Sequence, residues 1–204
     1  MIAVIDYDAG NVASVTKAIE KVGYKACLTK DPKIIKASSG VVLPGVGAFG
    51  DCIDKLRKYD LIDTILESIE SKKPFLGICV GFQLLFEEGF EFGIHKGFGI
   101  FKGSCVKFIP SKTYKVPHMG WNTVYYTRQC NLFDGIKNNS YFYFVHSYYT
   151  DSDDSCVAKT DYSCTFTSAS QKDNVFGVQF HPEKSQTLGL RIYKNFCNMC
   201  EEKC

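Results

Sequence analysis

The chain has 204 residues, of which 45% are apolar and 23% charged, and its formal net charge is +2. That composition excludes a disordered chain, and a charge so near balance excludes the strongly basic surface of a nucleic-acid binder. No apolar run approaches the ~20 residues of a membrane-spanning helix, and residues 1–6 carry no basic leader or cleavage site, so a cytoplasmic protein without a membrane partner is expected.

Residues 1–6 read as a short buried strand. Residues 11–22 have helical spacing, with Val12, Val15, Ala18, Ile19 and Val22 on one face and Gly23 as the stop. Residues 24–28 and 40–43 follow as strands, the second closed by Pro44-Gly45-Val46-Gly47. Residues 51–56 and 61–70 are expected to be helical, 75–78 a strand, and 81–88 a helix again. This alternation predicts βα units, hence an α/β fold with a mostly parallel central sheet and helices on both faces. From residue 97 to 180 β-branched and aromatic runs dominate, at 104–109, 123–126, 141–145, 156–159 and 175–180. They predict antiparallel strands added to the same sheet. Residues 186–200 form the closing helix. No linker, repeat or low-complexity tract interrupts the chain, so one domain over residues 1–204 is expected.

Ten cysteines are dispersed along the chain, a pattern that suggests small buried hydrophobes rather than a disulfide framework. Cys197-Asn-Met-Cys200 has metal-like spacing but no second ligand pair. Cys197, Cys200 and Cys204 share one helix face, so they are read as core residues and no metal is expected.

Cys79 is different. An apolar strand runs into it, a helix begins just after it, and Gly77 and Gly81 flank it at minus two and plus two. This is a nucleophile-elbow pattern with Cys in place of Ser. A sharp strand-to-helix turn exposes the side chain at the sheet's carboxyl edge, small neighbours relieve crowding, and a helix N-terminus favours a thiolate. The N–H of Val80 then points where an oxyanion would form. Taken alone, the pattern fits a buried strand cysteine equally well. A second segment, Gln179-Phe180-His181-Pro182-Glu183, ends a strand on a histidine and turns at once to a carboxylate. A thiol nucleophile needs a base, and the base needs a group that fixes its tautomer. His181 and Glu183 can fill both roles from one turn.

The segments Gly77-Ile-Cys79-Val-Gly81-Phe-Gln83 and Gln179-Phe-His181-Pro-Glu183 resemble the class I (triad) glutamine amidotransferases. Asp6-Tyr-Asp-Ala-Gly10-Asn11, Pro44-Gly-Val-Gly47, Val116-Pro-His-Met-Gly-Trp121-Asn122 and Tyr143-Phe-Val-His146-Ser-Tyr148 resemble, within that family, the glutaminase subunits of imidazole glycerol phosphate synthase. The resemblance runs from residue 1 to about residue 196. It implies a flavodoxin-like fold, no cofactor, L-glutamine as substrate, and a thioester on Cys79 formed with His181 and Glu183. It implies oxyanion donors from Val80 and from Gly45, Val46 and Gly47, a loop that changes its peptide orientation when active. Gln83, Ser147 and Tyr148 are implied contacts to glutamine. Asn11, Trp121, Tyr143 and Lys184 match positions that face a (β/α)8-barrel cyclase subunit, which uses the ammonia on a phosphoribulosyl-formimino carboxamide nucleotide in histidine biosynthesis. Trp121 is read as a loop residue there. A paralogous subunit serving a surface-sugar amidotransferase is the alternative. The intact triad argues against an idle scaffold, and the Pro44-Gly-Val-Gly47 loop with Gln83 argues against a stand-alone cysteine hydrolase.

Overall fold

The computed structural model describes residues 1–150 and 154–201. Its first half is β1 (Ile2–Ile5), α1 (Val12–Lys21), β2 (Ala26–Thr29), α2 (Pro32–Ala37), β3 (Gly40–Gly45), α3 (Phe49–Lys58), α4 (Ile62–Glu70), β4 (Phe75–Cys79) and α5 (Val80–Gln83). The strand-rich half follows, with β5 (Glu88–Gly89), β6 (His95–Lys96), β7 (Ser104–Lys107), β8 (His118–Tyr126), β9 (Ser140–His146), β10 (Tyr148–Thr150), β11 (Cys156–Asp161), β12 (Thr165–Lys172) and β13 (Val175–Val178). A 3-10 turn at Pro182–Lys184 leads into α6 (Gln186–Glu201).

The strands run in the order β2-β1-β3-β4-β13-β12-β10-β7-β5-β6, with β11 joining β12 to β8, and β9 beyond β8. From β2 to β13 all pairings are parallel; β12 against β13 is the first antiparallel one. Every residue of β1, β3, β4 and β13 is buried. Successive side chains point to opposite faces, so this parallel core is covered on both. One contiguous apolar core runs from Ile2 to Cys200. No helix among the described residues is long and apolar enough to cross a membrane.

Several elements differ from the sequence reading. Helix α2 has no counterpart in it; Asp31 caps this helix by accepting from Lys33 N–H at 2.8 Å, and Pro32 opens its first turn. The strand β12 has none either, because Thr165-Phe-Thr-Ser-Ala-Ser has the composition of a turn. It is a strand because it lies between β13, β10 and β11, which satisfy its backbone and bury Thr167, Ser168 and Ser170. The helix expected over residues 81–88 is a single turn. Leu84, Leu85, Phe86 and Glu87 give their carbonyls to N–H groups of residues 97–101 instead, from Phe98 to Leu84 at 2.8 Å and from Gly97 to Glu87 at 2.9 Å. Gly97 allows this approach, since a Cβ there would overlap the Phe86 carbonyl. Trp121 lies not in a loop but on β8, directly opposite Tyr143 on β9. Cys197 and Cys200 face the core as the helical spacing suggests, and Cys204 lies outside the described residues.

Candidate active site

The nucleophile candidate sits where β4 ends. Cys79 has φ 55° and ψ −111°, a backbone conformation that a side chain rarely adopts. Three glycines let the neighbouring backbones close around it. A Cβ on Gly77 would lie 2.7 Å from Gly81 O, one on Gly45 2.7 Å from Gly81 N, and one on Gly81 would overlap the Leu43 carbonyl of β3. Gly45 is the parallel partner of Cys79, so the end of β3 runs alongside the elbow. Val80 opens the one-turn helix, and its N–H is among the donors such a turn leaves unpaired. A single turn carries little macrodipole, so it adds less to a thiolate than a long helix would.

The second group is held by the strand next door. Val178 on β13 pairs with Ile78 on β4, so the residues that follow each, Gln179 and Cys79, stand at the same level. His181 comes two residues later on the Gln179 face, while Phe180 points the other way and stacks on Phe142 with ring centroids 4.2 Å apart. His181 is locked from three sides. Its N–H donates to Tyr143 O at 2.9 Å, and Ser185 Oγ donates to its carbonyl at 2.7 Å while accepting Tyr143 N–H at 3.0 Å. Its Nδ1 donates to Glu183 Oε1 at 2.9 Å, with the two side chains only 2% and 1% exposed. A carboxylate can only accept, so the proton sits on Nδ1 and Nε2 is the atom left for chemistry. Nε2 is buried with no hydrogen-bond partner among the described residues. Burial opposes charge on this ring, but the Cys79 sulfur and then Glu183 outweigh it and raise the pKa to about 10. The imidazolium is therefore favoured beside the sulfur.

Three other thiols lie buried in apolar surroundings. Burial pushes Cys52 and Cys130 up to about 11 and Cys197 up to about 12, so they stay protonated and unreactive at neutral pH.

A cavity of about 470 Å³ opens over Cys79 and His181, lined also by Val46, Gly47, Val80, Gln83, Glu91, Phe92, Ser147, Tyr148 and Lys184. That volume is ordinary for a small-molecule site. The family model described as Glutamine amidotransferase class-I matches residues 3–200.

This chain belongs to the class-I glutamine amidotransferases.

Relatives within the family are named imidazole glycerol phosphate synthase subunit HisH. The protein of that name from Syntrophotalea carbinolica is 49% identical over 98% of this chain and 100% of its own length. Those from Archaeoglobus fulgidus and Methanocaldococcus jannaschii are each 48% identical over 98% of this chain, covering 98% and 100% of their own lengths. Among solved structures, a glutamine amidotransferase from Thermotoga maritima superposes with TM-score 0.63 at 20% identity, covering 99% of this chain and 84% of its own. The glutaminase domain of Trypanosoma brucei CTPS does so with TM-score 0.71 at 17% identity, covering 98% and 93%. These structures share the amidotransferase fold.

The structure gathers most of the residues singled out in this amidotransferase's sequence. Cys79, His181, residues 46–47, Val80, Gln83, Ser147 and Tyr148 all line the cavity, Glu183 stands behind His181 on its Nδ1, and Gly45 lies against Gly81 N. Lys184 Nζ lies 5.8 Å from the centre of the Tyr143 ring, and that ring meets Trp121 edge-on at 6.1 Å. Trp121, Tyr143 and Lys184 thus form one partly exposed surface beside the site. Asn11 precedes α1, the helix that packs on the Pro182–Lys184 turn.

The sequence pattern misses other site residues. Tyr7 OH donates to Pro44 O at 2.8 Å, and Cys52 Sγ to Val46 O at 3.7 Å, so both hold the candidate oxyanion loop from beneath. Glu91 places a carboxylate on the cavity wall. Burial raises its pKa, against the lowering effect of the Phe49 N–H that it accepts at 2.9 Å. Tyr7 lies inside the segment of residues 6–11 without a role assigned to it there, and no local pattern marks Cys52 or Glu91. Gln179 and Ser185 could have been found, since each stands within a few residues of His181.

Proposed function

We propose that this chain is the glutaminase subunit of an imidazole glycerol phosphate synthase. In this reading it is a single cytoplasmic domain that hydrolyses L-glutamine and passes the ammonia to a (β/α)8-barrel cyclase subunit in histidine biosynthesis. Near 48% identity with HisH subunits along their full lengths supports the assignment. The observation that carries the mechanism is the Nδ1 bond to Glu183 at 2.9 Å, which commits the buried Nε2 of His181 to the Cys79 side of the cavity.

Glutamine enters with its carboxamide over Cys79 and its α-ammonium toward Glu91, the carboxylate on the cavity wall. Cys79 Sγ attacks the carboxamide carbon, its proton held on His181 Nε2. The oxygen of the tetrahedral intermediate takes up negative charge and accepts N–H groups from Val80 and from the loop of Gly45, Val46 and Gly47. The C–N bond then breaks. His181 gives its proton to the leaving nitrogen, ammonia departs, and the glutamyl group remains on sulfur as a thioester. His181, now neutral, draws a proton from water, the resulting hydroxide displaces sulfur, and glutamate leaves. Glu183 keeps the imidazole in one tautomer throughout. Gln83, Ser147 and Tyr148 line the substrate's path, and every step is carried by side chains and backbone of this chain. Trp121, Tyr143, Lys184 and Asn11 form the docking face for the cyclase, with Trp121 the aromatic anchor.

The test is glutamine turnover by the purified protein, alone and with a histidine-pathway cyclase and its nucleotide substrate. Turnover is expected to rise with both and to vanish in Cys79→Ala. Turnover that survives Cys79→Ala would sink the mechanism, and indifference to the cyclase would sink the assembly.

A further inference from the structure

Behind the cavity a line of buried polar groups ends on the nucleophile. Gln83 Nε2 lies 3.0 Å from Tyr148 O and 3.0 Å from Gln179 Oε1, and Gln179 Nε2 lies 3.8 Å from Cys79 Sγ. Which end of each amide is nitrogen follows from chemistry. A backbone carbonyl only accepts, so the Gln83 atom facing Tyr148 O is its NH2 group. The same NH2 then faces Gln179, which must answer with its oxygen, and the Gln179 NH2 is left pointing at the sulfur. The Tyr148 carbonyl is held in turn, because His146 Nδ1 donates to it at 2.7 Å. His118 Nδ1 donates to His146 Nε2 at 2.9 Å, and the Asn122 amide donates to His118 Nε2 at 3.2 Å. Desolvation by burial keeps both histidines neutral, with the pKa lowered to about 4 for His118 and about 3 for His146, as this order of donors requires. The direction of every hydrogen bond in the line is thereby determined.

We propose that Gln179 is a fourth catalytic group, whose side-chain amide donates an N–H to Cys79 Sγ and so supports the thiolate for attack. Gln179 is fully buried, so its amide is out of reach of bulk solvent, and its register on the chain places it level with the sulfur. A hydrogen bond to the charged form of a group favours that form. The support complements His181, which balances the sulfur's charge from its Nε2 side, and it offsets the small dipole of the one-turn helix at the elbow. The proton of the Gln179 amide stays on nitrogen, and only the Cys79 proton moves, to His181. The same arrangement commits both N–H bonds of Gln83, so Gln83 offers a ligand only its acceptor Oε1.

This inference rests on the glutaminase reading, and the experiment separates the two. Gln179→Met removes the donor and the acceptor; Gln179→Glu keeps the shape and the acceptor toward Gln83 but removes the amide N–H. Alkylation of Cys79 by iodoacetamide is followed at pH 7 and pH 10, with Cys79→Ala defining the background from other thiols. Folding is checked by circular dichroism and urea titration. Loss of one hydrogen bond to a charged group predicts a fall of roughly ten-fold in the alkylation rate at pH 7. At pH 10 the rate should stay within about two-fold of the parent, because an ordinary thiol is ionised there without a donor's help. Glutamine kcat should fall by a similar factor with KM little changed. Rates at pH 7 within about two-fold of the parent in a folded variant would overturn the proposal. Equal losses at both pH values would overturn it too, since they would show blocked access rather than a lost donor. Should Cys79→Ala retain glutamine turnover, the glutaminase reading fails instead.

Discussion

Replacing Ser185 with alanine tests how tightly the catalytic histidine is clamped. Ser185 is buried, and its hydroxyl ties the histidine turn to strand β9: it donates to His181 O at 2.7 Å and accepts Tyr143 N–H at 3.0 Å. The two losses are unequal. His181 O keeps a second partner, Lys184 N–H at 3.0 Å, so losing the hydroxyl there costs about 1 kcal/mol. The Tyr143 N–H is left without its acceptor, and an unmet buried donor costs about 1–3 kcal/mol. The sum, about 2–4 kcal/mol, divided by a urea dependence of about 2 kcal/mol per molar, places the unfolding midpoint about 1–2 M lower. Turnover should fall less steeply. His181 N–H still bonds Tyr143 O at 2.9 Å and Nδ1 still bonds Glu183, so the ring is loosened rather than released. A drop of roughly ten-fold in kcat with KM nearly constant is expected. Urea titration followed by tryptophan fluorescence reads the first effect, since Trp121 faces Tyr143 across the β8–β9 pair. Glutamine-dependent ammonia release reads the second. An unchanged midpoint together with unchanged kcat would refute the clamp.

Gly81→Ala should cost more in activity than in stability. Its Cβ would overlap the Leu43 carbonyl, so the elbow must back away from β3, and a displacement of about 1 Å at a nucleophile costs roughly a hundred-fold in kcat. A variant with near-parental kcat would show that the close approach does not matter. His181, raised from 6.5 to about 10, should carry the alkaline limb of kcat/KM to near pH 10. Because the folded value lies above the unfolded one, its stabilising effect is complete below about pH 6.5 and fades as pH rises toward 10. Glu183→Gln should bring the limb to lower pH, and a limb that stays in place would remove Glu183 from the account. Trp121→Ala should weaken cyclase binding by at least roughly ten-fold, as truncating an interface anchor does, while leaving basal glutamine hydrolysis and the unfolding midpoint near parental values. Unchanged affinity by calorimetry would take Trp121 off the docking face.

The sequence by itself determined what depends on a few neighbouring residues. Gly77-Ile-Cys79-Val-Gly81 encodes a strained turn because only glycine fits beside a side chain held at positive φ, and the backbone at Cys79 has that form. His181-Pro182-Glu183 places base and orienting carboxylate two residues apart, so their 2.9 Å bond is a property of one turn. The βα alternation of the first half was legible for the same reason, since buried parallel strands and amphipathic helices differ in period. The tertiary structure alone decided the rest. The meeting of residues 79 and 181 depends on β4 and β13 being sheet neighbours, although roughly a hundred residues separate them in the chain. The short α5 and the unexpected β12 are both set by partners that supply hydrogen bonds from distant segments, a preference stronger than local propensity. Gln179 belongs to both accounts. Its place beside His181 is written in the chain, but the direction of its amide is imposed from Tyr148 through Gln83, because a carbonyl oxygen has no proton to give.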